Sequence, residues 1–296
     1  MDLKRCLLGL LLMLATLPAG AGTPVVRVVG PEPIATEVRR QLQERVAAVD
    51  IREEASTVPA RLVVAIGARA FRDALQQSGA PVVGMALTRE SYRAAVREMA
   101  PHTAVPHTAV FWDPDPVRQL QLARLVLPAA RRVAILADST LDEGLLAALR
   151  TESVRLGLVP VIVRAGNDSQ SLPQRLARVL ANTDFLLGID GPEIFTPANA
   201  KTILLTTYRH GRPVIGPGGS WVDAGSIASL AAGMPEAIDT LAAWLPALLE
   251  TGRMPPPRHP DRYTVVTNPQ VARSLSITLP PDERLQSSSR GSGGKP

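Results

Sequence analysis

His107 to Leu136 reads HTAVFWDPDPVRQLQLARLVLPAARRVAIL, and its parts decide the fold. His107–Trp112 is rich in β-branched and aromatic residues, the composition of a strand. Asp113-Pro114 ends it in a turn. Val117–Val126 follows a helical pattern that Pro128 stops. Arg132–Ala137, RVAILA, is a second strand. Strand, helix and strand in that order form the unit from which parallel sheets are built.

The alternation extends in both directions. Before this unit, strands are expected at 25–30, 62–67 and 81–87, with helices at 34–49, 68–77 and 90–99. The first helix is the clearest, because Ile34, Val38, Leu42 and Val46 recur at helical spacing with Arg and Glu between them. After it, strands are expected at 159–164, 184–189, 213–216 and 263–266. Helices at 142–156, 171–180, 197–210, 235–251 and, capped by Asn268, 268–275 complete the series. That is too much strand for one sheet, and roughly 250 ordered residues fit two α/β lobes. The expected division is an N-terminal segment 1–22, a short N-terminal lobe 23–112, a C-terminal lobe 113–260, a return segment to the N-terminal lobe 261–280, and a disordered Ser/Gly-rich tail 281–296.

The N-terminal segment is a secretory signal peptide by pattern: a basic head at Lys4-Arg5, an apolar run from Cys6 to Leu17, and small residues at Ala19-Gly20-Ala21. The run is shorter than the roughly 20 residues needed to span a bilayer. No stable membrane insertion is therefore expected. The only cysteine, Cys6, lies inside this segment, so the processed chain has neither a disulfide nor a thiolate metal site. No cysteine stands at the cleavage point, which favours a free periplasmic protein over a lipoprotein. Net charge is +5 and aromatics are 3%, with the arginines scattered among acids. A solvated basic surface is expected rather than a nucleic-acid site.

Gly216–Leu230, GPGGSWVDAGSIASL, resembles a chemical loop but fails each test. A phosphate loop needs a Lys before the Ser, and Pro217 removes a backbone N–H. A dinucleotide fingerprint breaks at Trp221. A nucleophile elbow needs glycine where Val222 stands. Its glycines are expected to serve hinge motion. In the tandem repeat PHTAVPHTAV, His102 and His107 lie five apart without a carboxylate, and His210 and His259 are isolated, so no metal or other cofactor is expected.

Several stretches together resemble a known family. They are His107–Leu136; Asp184–Asp190 followed by Phe195–Ala200; Arg212–Gly216; Trp221–Leu230; Leu249–Pro255; Val266–Ala272; and Leu275–Pro280, where Ser276 replaces a glycine. They resemble the substrate-binding proteins of ABC transporters, in the group that includes tryptophan- and tyrosine-binding members. Before residue 107 the match is weaker, and Gly67-Ala68-Arg69-Ala70 stands where a Gly-Thr-x-Ala turn is expected.

The resemblance implies the type 1 periplasmic binding protein fold: two Rossmann-like α/β lobes with parallel sheets, joined by a three-crossing hinge. The crossings would fall near 112–116, 221–226 and 258–264. It implies a non-enzymatic, monomeric periplasmic component of an ABC-type transport system, with an ABC permease as partner and a small ligand, such as an amino acid, in the cleft. The alternative is a degenerate relative acting as an accessory or sensor through protein contacts, suggested by the short first lobe. Ligands in such folds sit outside the carboxyl ends of the strands. The candidate residues are therefore Gly67, Ala68, Arg69, Thr88 and Asp113 from the first half, and Asp138, Ser139, Thr140, Asp190, Gly191, Pro192, Ser220, Trp221 and Asp223 from the second. Ser139 and Thr140 would hold a carboxylate at a helix start, Asp190 or Asp113 an ammonium, and Trp221 a side chain. The same residues also have structural readings: Asp138, Ser139 and Asp142 as helix caps, Trp221 as core, Asp113 as a turn residue and Arg69 as solvated.

Overall fold

The structure, a computed structural model, describes residues 23–100, 104–139, 141–164 and 171–288. The expected signal peptide at 1–22, His102 and Thr140 lie outside the described residues.

Two sheets are present. The first contains β1 (Val25–Val29), β2 (Asp50–Arg52), β3 (Leu62–Ile66), β4 (Val82–Leu87) and β5 (His107–Phe111), ordered β2-β1-β3-β4-β5 and parallel throughout. Their near-continuous Val/Ile/Leu composition is that of strands covered on both faces. One face carries α1 (Ile34–Arg45), and the other α2 (Gly67–Gln77) and α3 (Arg89–Met99).

The second sheet runs β11-β10-β9-β8-β6-β7. Its strands are β6 (Arg132–Ala137), β7 (Val159–Arg164), β8 (Phe185–Leu187), β9 (Val214–Ile215), β10 (Ala228–Ala231) and β11 (Thr264–Thr267). All pairs are parallel except β10 with β11. The helices α4 (Pro116–Val126), α5 (Glu143–Arg155), α6 (Leu172–Leu180), α7 (Pro197–Arg209) and α8 (Gly219–Ala224) belong to this half. The expected two-lobed α/β fold is present.

The opening strand–helix–strand unit spans the two lobes, as the crossing expected near 112–116 implies. β5 belongs to the first sheet and β6 to the second, so the chain between them is the first crossing rather than a turn within one sheet. Pro114 and Pro116 bias the residues before them toward extended backbone, which keeps α4 from starting early. Asp115 then caps α4, its side chain accepting from Val117 N at 2.9 Å. Buried Gln119 fixes α4 to the second sheet: it donates to Gly216 O at 2.8 Å and Ser229 Oγ at 3.0 Å, and accepts from Leu230 N at 3.1 Å.

The second crossing, and with it the bounds of the C-terminal lobe, differs from expectation. Residues 221–226 are not a crossing: Gly219–Ala224 is helical, and the chain continues into β10 within the second sheet. The second crossing comes at 232–233. The next helix, α9 (Met234–Thr251), packs Ala237, Ile238, Leu241, Trp244, Leu245 and Leu248 against Val26, Val28, Val38 and Leu42 of the first lobe. The C-terminal lobe is therefore interrupted within 113–260. The third crossing follows Arg258, which pairs with β5 through Phe111 N to Arg258 O at 2.9 Å.

Residues 261–280 do not return to the first lobe. β11 pairs with β10, and Ala272 of α10 (Pro269–Ser274) joins the second core. Part of the expected disordered tail is also structured. In α11 (Asp282–Ser288), Leu285 is buried in that core, and Gln286 supplies a strand-like pair of bonds to Val265 N and O, covering the edge of β11.

The short first lobe has a specific cause. A parallel crossover usually carries a helix, yet residues 53–61 join β2 to β3 without one. The uncovered face between β1 and α2 forms a groove of about 1080 Å3, lined in part by Arg27, Val29, Val63 and Ala74.

Candidate functional site

The carboxyl ends of β4 and β5 face those of β8 and β9 across the interlobe cleft, with the loops after them supplying its walls. A cavity of about 360 Å3 lies there. The first-lobe side contributes Thr88, Trp112, Asp113 and Pro114, and the second-lobe side Asp190, Pro217–Trp221, Ala231 and Ala232. A smaller space of about 30 Å3, the size of a single water, adjoins it and shares Asp113 and Asp190.

Thr88 caps α3, its hydroxyl accepting from Ser91 N at 3.2 Å. β4 reaches Thr88 through an irregularity at Ala86, whose φ of 51° is left-handed. Asp113 fastens two crossings. Its Oδ1 accepts from Arg89 N at 2.7 Å, and its Oδ2 lies 3.5 Å from Nε2 of His259 on the third crossing. Asp113 is therefore more than a turn residue. Asp138 is buried at the end of β6, and Gly191 passes directly over it. A Cβ on Gly191 would lie 2.2 Å from Asp138 Oδ2, so only glycine permits this approach.

Asp190 is the electrostatic focus of the cleft. Burial, then the negative charges of Asp113 and Asp138, push its carboxyl up to about 6. Two nearby arginines, Arg89 and Arg93, are engaged with Asp142. The cavity thus pairs an acidic wall with Trp112, which is 39% exposed.

Thr88, Asp113, Asp190, Ser220 and Trp221 are brought together at the cavity, as expected from the strand-end rule. Other candidates are not. Gly67, Ala68 and Arg69 line the first-lobe groove instead. The Arg69 side chain is 91% exposed, the solvated arrangement. Ser139 donates from N and Oγ to the Glu193 carboxylate, so the chain's own acid occupies the donors proposed for a ligand carboxylate. Pro192 is exposed outside the cavity lining, and Asp223 is exposed on α8. Trp221 lines the cavity but is 8% exposed, with its ring 5.5 Å from that of Phe195, so it is mainly a core residue.

The glycine-rich stretch also differs from expectation. A Cβ at Gly216 would lie 2.6 Å from Ser226 Oγ and 2.8 Å from Trp221 Cβ. At Gly188 it would lie 2.6 Å from Pro217 Cδ. Gly216 permits close packing at the base of the cleft, and its loop carries no lobe crossing. Trp112 was not among the candidate residues; its sequence signal is an aromatic at a strand end directly before Asp113-Pro114.

No protein-family model matches the chain, and neither does any curated protein. Among solved structures, a conserved domain protein from Vibrio cholerae is 18% identical, covering 91% of this chain and 99% of that one, with a TM-score of 0.53. An ABC domain from Streptococcus pneumoniae, solved in complex with L-Trp, is 16% identical, with coverage of 90% and 98% and a TM-score of 0.53. A substrate-binding protein with adhesive properties from Clostridium difficile, in its ligand-free open form, is 15% identical, with coverage of 88% and 96% and a TM-score of 0.60. At these identities the likeness concerns architecture alone. The chain has the type 1 periplasmic binding protein fold.

Proposed function

We propose that the protein is a non-enzymatic solute-binding protein that holds a small molecule between its lobes. The observation that carries this reading is the cavity of about 360 Å3 with walls from both lobes. A ligand touching both walls stabilises the closed arrangement by its differential affinity for it. Asp190 and Asp113 would accept an ammonium group, and Trp112 would pack against a flat or apolar portion. A small amine, amino acids included, is the ligand class this lining fits. In this reading the protein is a periplasmic monomer, exported through residues 1–22, that delivers its ligand to an ABC permease.

A melting-shift screen with amino acids, amines and small carboxylates tests the proposal. Stabilisation by amine-bearing compounds that is lost in Asp190→Asn supports it. A well-folded sample that none of them stabilises overturns it. The second reading, an accessory or sensor protein acting through protein contacts, is favoured by the helix-free β2–β3 crossover and its groove. A permease and an ATPase encoded beside this chain favour transport, and their absence favours the second reading.

A further inference from the structure

The lobes also meet through charges that ligand binding does not use. Arg89 and Arg93 stand one turn apart on α3 and therefore share a face. Opposite them is Asp142, the N-cap of α5 in the second lobe. Its Oδ2 accepts from Arg93 Nη1 and lies 3.1 Å from an Arg89 guanidinium nitrogen, while Oδ1 accepts from Leu145 N at 2.9 Å. Burial alone would raise the Asp142 carboxyl, but the bonds from Arg93 and Leu145, with the Arg89 charge, hold it below the usual range. These side chains are 23% to 33% exposed, so they remain within reach of salt.

Their position gives the cluster its consequence. Two other side-chain contacts, Arg262 with Asp239 and His259 with Asp113, lie at the third crossing. Arg89, Arg93 and Asp142 join α3 of the first lobe to α5 of the second around the small space next to Asp190, whose lining also includes Asp113 and Pro116 of the first crossing. A rotation that draws α3 away from α5 would separate them.

We propose that Arg89, Arg93 and Asp142 form an interlobe latch that closes the Asp190 end of the cleft and makes cleft opening dependent on ionic strength. The proposal rests on the two-lobed hinge but requires no ligand. Added salt screens partly exposed pairs, with a Debye length falling from about 10 Å at 0.1 M to about 3 Å at 1 M. Opening should therefore rise with salt in the wild type and be insensitive to it once the latch is removed.

Spin labels at Ala94→Cys on α3 and Ala148→Cys on α5, with Cys6→Ser, report the interlobe distance in the full chain without ligand. The expected wild-type result is a short distance at 50 mM NaCl and a longer population growing about fivefold by 1 M. Asp142→Asn should show the longer population at low salt. Asparagine still caps α5, so the change removes charge while leaving the helix start intact. Arg89→Gln/Arg93→Gln, made from the other lobe, should behave alike and decides the matter if circular dichroism shows Asp142→Asn misfolded. Distances in the folded variants that match wild type across the salt range overturn the latch. Because no ligand is present, that result leaves the binding proposal standing, and a failed ligand screen leaves the latch standing.

Discussion

Replacing Asp190 with asparagine should stabilise the protein, and the gain should depend on pH in a calculable way. In the folded chain the Asp190 carboxyl moves from 3.8 up to about 6, through burial first and then the charges of Asp113 and Asp138. An acid with a raised folded pKa binds its proton more tightly when folded. Its charged form therefore penalises the fold increasingly as pH rises from 3.8 to 6, and fully above that. At about 1.4 kcal/mol per pKa unit, the penalty is about 3 kcal/mol at pH 8 and about 0.5 kcal/mol at pH 4. Asparagine keeps the shape and carries no charge, so Asp190→Asn should recover most of that difference. The gain corresponds to a melting temperature higher by about 6 to 12 °C at pH 8 and by only a degree or two at pH 4. Melting curves by circular dichroism at the two pH values test this. An equal gain at both would refute the electrostatic cause, and a loss at pH 8 would show that Asp190 bonds to something the acidic wall does not contain.

Three further substitutions test packing around the site by urea denaturation at pH 7. Gly191→Ala places a methyl 2.2 Å from Asp138 Oδ2 and should cost about 1–3 kcal/mol; an unchanged midpoint would mean the loop shifts freely. Gln119→Ala leaves the buried Leu230 N without its partner and loosens α4 from the second sheet, with an expected loss of about 2–4 kcal/mol. Ser276→Gly should stabilise by about 1–2 kcal/mol, because Ser276 holds a φ of 57° at the turn after α10; no gain would mean its side chain offsets the strain.

The elements read from sequence were those whose own residues dictate them. β3 is buried at every position and α1 carries its apolar residues at helical spacing, so neither needs its neighbours to be recognised. β2, β10 and α8 lack such signals. β2 is three residues at a sheet edge, and β10 is Ala-Ser-Leu-Ala. Small residues suit β10 because α8 and Gln119 press close against it, a constraint visible only in three dimensions. Missing β10 displaced the second crossing and, with it, the lobe assigned to α9. Periodicity shows that a helix has an apolar face, but it does not identify the sheet that the face covers.

The same limit explains the site. The strand-end rule anticipated the position of Thr88, Asp113, Asp190 and Ser220 beside the cavity, because the direction of a parallel strand fixes where its following loop lies. It could not separate Trp112 from Trp221, since both follow strands of the same type. Trp221 lies on a helix that turns its ring onto Phe195, whereas Trp112 ends a strand before a proline-rich crossing and has no aromatic partner given by its own segment. The glycines follow the opposite logic from the one their sequence suggested. Gly188, Gly191 and Gly216 each bring backbone against a side chain within 3 Å of where a Cβ would stand. All three contacts lie within the second lobe, whereas the chain passes between the lobes at 112–116, 232–233 and 258–263. A glycine-rich segment beside a cleft is thus as well suited to narrowing the cleft floor as to bending it, and the distance to the nearest foreign atom distinguishes the two.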